Sequence, residues 1–309
     1  METNSVKINM KTNSVKAWLL ATRPKTLTGA FIPVVLASAL AHHDGRLDWA
    51  VAVMCLLFAG GMQIAANLIN DLYDFLRGTD REDRLGPERA CAQGWITPAA
   101  MKCGIWASIA VSCGFGLCAL YLTWQNLPWH GWELVALGAS CVIFAFLYTK
   151  VFSYYGLGDV LVLVFFGFVP VCGTYYLMTY DLTWQAWLLG AISGIVIDTL
   201  LIVNNYRDRD QDRVSGKRTI IVLLGERIGL WLYLLAGLIA AAIAQWLLCS
   251  LTAYPAIGGG LLACIYTSLH VMTWLHMKKI HQGRALNAIL GETSRNMALM
   301  GILLSVALW

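Results

Sequence analysis

Long apolar runs alternate with short polar breaks along this chain, and each run is long enough, at roughly 17 to 24 residues, to cross a hydrocarbon layer as a helix. The pattern predicts helices at 27–43, 49–69, 99–121, 132–149, 157–179, 184–206, 226–249, 252–275 and 288–309. The expected fold class is all-α and membrane-integral, with nine spans in one domain covering 1–309. Gly60, Gly61, Gly190, Gly194 and the Gly258-Gly259-Gly260 run lie inside these spans. Small residues there suit close approach of helix backbones. Ahead of the first span, Ala17 to Thr26 mixes apolar and basic residues before and around Pro24, as expected of a segment lying along the membrane surface.

Composition agrees with the pattern: 58% of residues are hydrophobic, 13% are charged and the mean hydropathy is +0.63. A soluble domain carries about a quarter charged residues. Orientation follows from the basic residues. With nine spans, the N-terminal tail and the 2–3, 4–5, 6–7 and 8–9 loops share one face, and of the 22 Lys and Arg residues only Arg46 falls on the other. Basic loops stay inside, so the N-terminus and these loops are expected on the cytoplasmic face. No signal peptide is evident, because the first 26 residues lack an apolar core and a small-residue cleavage site. The net charge of +4 then reflects topology and contact with anionic membrane lipid, and gives no reason to expect nucleic acid as a partner.

Nine cysteines lie mostly within apolar runs without C-x-x-C spacing, and read as small packing residues. The six histidines form no metal-binding pair with a neighbouring cysteine or carboxylate.

Two acidic clusters stand out against this background. Asn67, Asp71 and Asp74 end the second span, and Asn204, Asp208 and Asp212 end the sixth, both on the basic face. If each helix continues, spacings of four and three, or four and four, place each trio on one side. Carboxylates at the rim of a bundle are costly unless they serve a function. Oxygen donors of this kind suit Mg²⁺, which completes its shell with phosphate oxygens and water, so two facing trios could grip a diphosphate through metal.

Cations nearby would complete such a site. Lys150 closes the fourth span, and Lys217 and Arg218 follow the second cluster. Lys150 serves either the diphosphate or the topology, by snorkelling to the headgroups. Arg81, Arg84 and Arg89 stand in the first long loop, where they can face the diphosphate or pair with Asp80, Glu82, Asp83 and Glu88 as a solvated loop. Asp159 opens the fifth span, where capping alone would favour it. Asp198 lies within the sixth, six residues before Asn204 and therefore roughly 240° away around the helix. It contacts either a substrate or a buried hydrogen-bond partner.

These residues resemble the UbiA-type membrane aromatic prenyltransferases, and within them the branch that prenylates 1,4-dihydroxy-2-naphthoate in menaquinone synthesis. The resemblance covers nearly the whole chain. It is carried by Arg23-Pro24-Lys25-Thr26-Leu27, Asn67 through Asp74 with Gly78-Thr79-Asp80, Tyr155-Gly156-Leu157-Gly158-Asp159, and Asn204-Asn205-Tyr206-Arg207-Asp208 with Asp212. Gly216-Lys217-Arg218-Thr219 and Leu286-Asn287 complete it. The resemblance implies nine helices around a central cavity, with a cytoplasmic cap formed by the 2–3 and 6–7 loops. It also implies Mg²⁺ at Asn67, Asp71, Asp74, Asn204, Asp208 and Asp212, catalysis involving Asp71, Asp208 and Lys150, and diphosphate contacts from Lys150, Lys217, Arg81 and Arg84. The family's first motif often has a further Asp where this chain has Gly78, and Asp80 is the candidate replacement.

The reaction so implied joins a long prenyl chain, supplied as prenyl diphosphate, to 1,4-dihydroxy-2-naphthoate with loss of the ring carboxylate, giving demethylmenaquinone. Another aromatic acceptor, such as 4-hydroxybenzoate, is an alternative within the class. A divalent-cation transporter is the alternative outside it, though transport sites generally sit near the bilayer midplane rather than at helix ends.

Overall fold

The computed structural model describes residues 10–78, 84–150, 152, 155–251 and 255–309, with 149–150 and 255–259 described in backbone only. The described residues are helical or irregular, with no strand among them. A short α1 (Val15–Ala21) leads into α2 (Leu27–His43), α3 (Trp49–Leu76), α4 (Pro98–Thr123) and α5 (Trp132–Lys150). Then follow α6 (Gly158–Val162), a π-helical stretch (Leu163–Phe168), α7 (Val169–Thr179), α8 (Trp184–Val214) and α9 (Ile220–Leu224). The chain ends with α10 (Glu226–Leu251), α11 (Pro255–Ile280) and α12 (Leu286–Leu308). Among the described residues, six segments are long and apolar enough to cross a membrane: Val15–His43, Trp49–Leu76, Pro98–Asn126, Gly158–Thr179, Trp184–Val214 and Glu226–Leu251.

Helix starts follow local capping. Asp48 Oδ1 accepts the Ala50 and Val51 amides at the head of α3, and Thr97, Thr183 and Thr219 cap α4, α8 and α9 through their hydroxyls. Helix ends depart from the apolar pattern. α3 and α8 run beyond residues 69 and 206, to Leu76 and Val214, so that both acidic clusters are helical. At 28 and 31 residues, these helices are about 42 and 46 Å long, well beyond a hydrocarbon core of about 30 Å.

The fifth apolar run is not one regular helix. Pro170 has no amide hydrogen to give the Phe166 carbonyl four residues back. That carbonyl instead accepts the Ser193 hydroxyl of α8 at 3.0 Å, and the backbone widens into the π-helical stretch. Glycines let α8 come this close. A Cβ on Gly167 would lie 2.5 Å from the Gly190 carbonyl, and one on Gly194 would lie 2.9 Å from the Leu163 carbonyl. Gly60 and Gly61 likewise face Phe31 and Ser112 at distances that exclude a side chain. Gly260 differs from the expectation, since none of the described residues stands within 4 Å of where its Cβ would be, and Gly258 and Gly259 lie outside the residues with described side chains.

α2 lies within the bundle, burying Val34, Leu36, Ala37, Ala39, Leu40 and Ala41 against α7, α8 and α12. A polar seam joins α10, α11 and α12: His270 Nε2 donates to the Tyr233 carbonyl, Tyr233 Oη meets Thr293 Oγ1, and Asn296 Nδ2 donates to Thr273 Oγ1. Cross-helix hydrogen bonds of this kind hold helices where water and the hydrophobic effect contribute little. At the end of the bundle opposite the acidic clusters, Trp49, Trp129, Trp132, Trp184, Trp246 and Trp309 are exposed, as in an interfacial aromatic belt. α1 buries Ala17 and Ala21, sets Trp18 beside Gly104 and leaves Val15, Leu19 and Leu20 outward. None of the nine cysteines is in a disulfide.

Candidate functional site

The extended ends of α3 and α8 are both tied to the segment 84–91. On α3, Asn67 Nδ2 donates to the Thr22 carbonyl and to Thr26 Oγ1, both at 2.9 Å, so the turn before α2 is fastened to the cluster. One turn on, Asp71 is 1% exposed and accepts two consecutive amides, Ala90 at 2.8 Å and Cys91 at 2.9 Å. Asp74 pairs with Arg89 Nη2 at 2.6 Å. Arg89, open in the sequence between the diphosphate and a solvated loop, is therefore a buried partner of the cluster.

On α8, a single side chain holds two of the trio. Arg207, 2% exposed, gives Nε to Asp208 Oδ1 at 2.7 Å, Nη2 to Asn204 Oδ1 at 2.7 Å and Nη1 to Asn287 Oδ1 at 2.8 Å. Asn287 Nδ2 then donates to the Leu85 carbonyl, and Arg207 Nη2 lies 3.0 Å from where a Gly86 Cβ would be. Segment 84–91 is thus tied to α3 by Asp71 and Asp74, and to α8 and α12 by Arg207 and Asn287. Asp212 meets Lys217 Nζ at 3.6 Å. Arg209 turns elsewhere, to the Tyr206 carbonyl and Glu226.

Two further pieces close the site. Arg23 takes a left-handed backbone, φ 51° and ψ 68°, ahead of Pro24, and its guanidinium lies in the field of Asp71, Asp74, Arg84 and Arg89. Tyr148 of α5 lies within electrostatic reach of both Asp74 and Asp212. Gly156, at φ +74°, brings its turn against the Arg218 carbonyl, which joins the Gly-Leu-Gly-Asp segment to the loop after α8.

The donor set is all oxygen, from four carboxylates and two amides, which is the chemistry Mg²⁺ prefers. Among the described residues no three His, Cys, Asp or Glu side chains are grouped tightly enough to hold a metal by themselves. The carboxylates retain lone pairs beyond their present bonds, which a bound ion could use.

A UbiA prenyltransferase family profile matches residues 30–287. The chain belongs to the UbiA prenyltransferase family. This UbiA chain is 38% identical over 214 residues to the 1,4-dihydroxy-2-naphthoate octaprenyltransferase of Escherichia coli (strain K12), covering 68% of this chain and 69% of that one. It is 31% identical over 298 residues to the Mycobacterium leprae (strain TN) protein of the same name, covering 96% and 97%. In fold it is similar to a UbiA homolog from Archaeoglobus fulgidus bound to GPP and Mg2+, with TM-score 0.65 and 15% identity over 94% of this chain and 99% of that chain. The apolar helices and the family together make it an integral membrane prenyltransferase.

Of the site residues expected for this UbiA chain, Asn67, Asp71, Asp74, Asn204, Asp208, Asp212, Lys217 and Arg84 lie around the junction of α3, α8 and segment 84–91. Arg81 and Asp80 lie outside the described residues, as does the side chain of Lys150. The sequence carried Arg23, Arg207 and Asn287 inside its motifs but gave them no role. The available signal was position: Arg207 stands between two expected ligands, and Arg23 precedes a proline at a helix entrance.

Proposed function

We propose that this chain is a Mg²⁺-dependent prenyltransferase that joins a long prenyl chain, delivered as its diphosphate, to 1,4-dihydroxy-2-naphthoate, with loss of the ring carboxylate to give demethylmenaquinone. One observation carries the reading: the Asn/Asp trios of α3 and α8 share a roof held through Asp71, the Asp74–Arg89 pair and the Arg207–Asn287 pair, in a chain similar to naphthoate octaprenyltransferases over two thirds of its length or more. In this proposal α2, α3, α4, α5, the α6–α7 rod, α8, α10, α11 and α12 are nine spans around a central cavity. Segments 77–97 and 215–225 form its cap, and the cap and N-terminus face the cytoplasm of a bacterial cell, across its inner membrane.

The chemistry follows from charge and solvation. Asn67, Asp71, Asp74, Asn204, Asp208 and Asp212 would hold Mg²⁺, which supplies neutralisation of the charge that develops on a departing diphosphate. Arg23, Arg84, Lys217 and, from the segments not described, Arg81 and Lys150 add fixed positive charge around the same anion. Asp71 also holds the roof by its two amides, so closing the roof and arranging the ligands are one event. Beneath it, apolar helices keep water from the allylic cation until the ring carbon attacks. The test is a membrane assay with a prenyl diphosphate and either dihydroxynaphthoate or 4-hydroxybenzoate, with and without EDTA. A prenylated, decarboxylated naphthoquinol formed only without EDTA is expected. Product from the benzoate alone, or product undiminished by EDTA, contradicts the reading.

A further inference from the structure

Halfway along α8, far from either trio's hydrogen bonds, Asp198 stands within the bundle. It is ten residues before Asp208, about 15 Å deeper along the helix axis. Its Oδ1 is shut away from solvent and has no hydrogen-bond partner, and its carboxylate has neither hydrogen bond nor ion pair among the described residues. A carboxylate in that position is costly, and retained ones mark function more often than packing.

Asp198 has company. The head of α6 packs on α8 one turn away, where a Gly158 Cβ would lie 3.4 Å from Leu201 Cδ2 and 3.8 Å from Tyr148 Oη. Asp159 is the next residue of α6, bonded only to its own backbone. The Asp159 and Asp198 charges act on each other and on the Tyr148 hydroxyl, which also has no hydrogen-bond partner among the described residues. Polar groups from α5, α6 and α8 therefore lie close together within the bundle, with no hydrogen bond between them among the described residues. Their mutual geometry is set firmly, because the rod that carries Asp159 is pressed onto α8 through Gly167, Gly190 and Gly194 and by the Ser193 to Phe166 bond.

We propose that Asp198, with Asp159 opposite it, binds the hydroxyl of the acceptor ring and takes its proton, making Asp198 a catalytic residue on the acceptor side. The proposal rests on the prenyl-transfer reading above. The ring O–H bond breaks and the proton passes to Asp198, which raises electron density on the adjacent ring carbon. That carbon bonds to the allylic carbon as the C–O bond to diphosphate breaks, and the electron pair leaves with diphosphate. The ring's bond to its carboxylate then breaks, CO₂ departs, its electrons restore the aromatic ring and Asp198 returns the proton to oxygen. No oxidant or further reactant is needed. Tyr148 is placed to hydrogen-bond the same oxygen.

The test compares wild type, Asp198→Asn and Asp159→Asn in membranes, using dihydroxynaphthoate and a ring-fluorinated analogue with a more acidic hydroxyl. Binding of a non-hydrolysable prenyl thiodiphosphate is measured in the same preparations. Expected is a fall of about 100-fold in kcat for Asp198→Asn, in the range of lost general-base catalysis, with thiodiphosphate binding retained and a smaller deficit on the more acidic acceptor. A kcat within twofold of wild type overturns the proposal. So does a deficit equal for the two acceptors, or loss of thiodiphosphate binding in step with rate, each of which makes the pair structural. Failure of wild type itself to prenylate the naphthoate strikes the parent reading instead, and is visible before any variant is compared.

Discussion

Arg207 is the residue on which the α8 half of the site turns. Its guanidinium satisfies Asn204, Asp208 and Asn287 at once, and a bidentate fork of this kind is beyond the reach of a lysine ammonium. Arg207→Leu leaves the Asp208 carboxylate facing Asn204 without its cation, and is expected to cost about 3 kcal/mol of stability, read as a lower unfolding temperature in detergent. Arg207→Lys should recover part of that stability while donor KM stays raised. Asp208→Ala should lower prenyl transfer at least about 100-fold, the scale of removing one group that stabilises a charged transition state, with the protein still folded by thermal melting. Turnover near wild type in Asp208→Ala would remove it from the site. Asn287→Ala should loosen the 84–91 roof, whose Leu85 carbonyl it holds, and raise donor KM with little change in melting temperature.

Among the elements, the contact between the α6–α7 rod and α8 decides how the inner cavity is built. Gly167→Leu would drive a side chain into the Gly190 carbonyl, and overpacking of that kind costs about 1–3 kcal/mol. Gly260→Ala, with none of the described residues within 4 Å of where its Cβ would stand, should leave the melting temperature unchanged or raise it, since alanine restricts the unfolded chain. A lower melting temperature for Gly260→Ala than for Gly167→Leu would reverse this assignment. The positions of these elements were readable from apolar runs, because the cost of an unsatisfied backbone in hydrocarbon forces helix wherever the run is long enough. Their ends were not. α3 and α8 continue for about two further turns through acidic residues, carried by bonds to a loop and to an arginine that local sequence does not display. The π-helical stretch was equally hidden, since Pro170 alone is compatible with a kink, a bulge or a break, and the Ser193 hydroxyl from another helix selects among them.

For the molecule as a whole, the asymmetry of charge sets how it sits. In a cysteine-free background, Lys11→Cys should react with an impermeant thiol reagent only when the cytoplasmic face is opened, and Arg46→Cys from the outer face of intact cells. The opposite labelling would invert the proposed orientation. The sequence by itself determined the all-helical membrane class and singled out six candidate oxygen donors, because hydropathy and residue type act locally and survive any arrangement of the spans. It also supplied the family resemblance, which the profile match bears out. Only the tertiary structure decided what each donor touches. It assigned Asp71 to the roof, Asp74 to Arg89 and Asp208 to Arg207, and among the described residues it left Asp198 Oδ1 without a partner. Pairings of that kind join residues as far as 202 positions apart, as Asn287 and Leu85 are. They are fixed by which helix faces meet, a quantity no single stretch of chain contains.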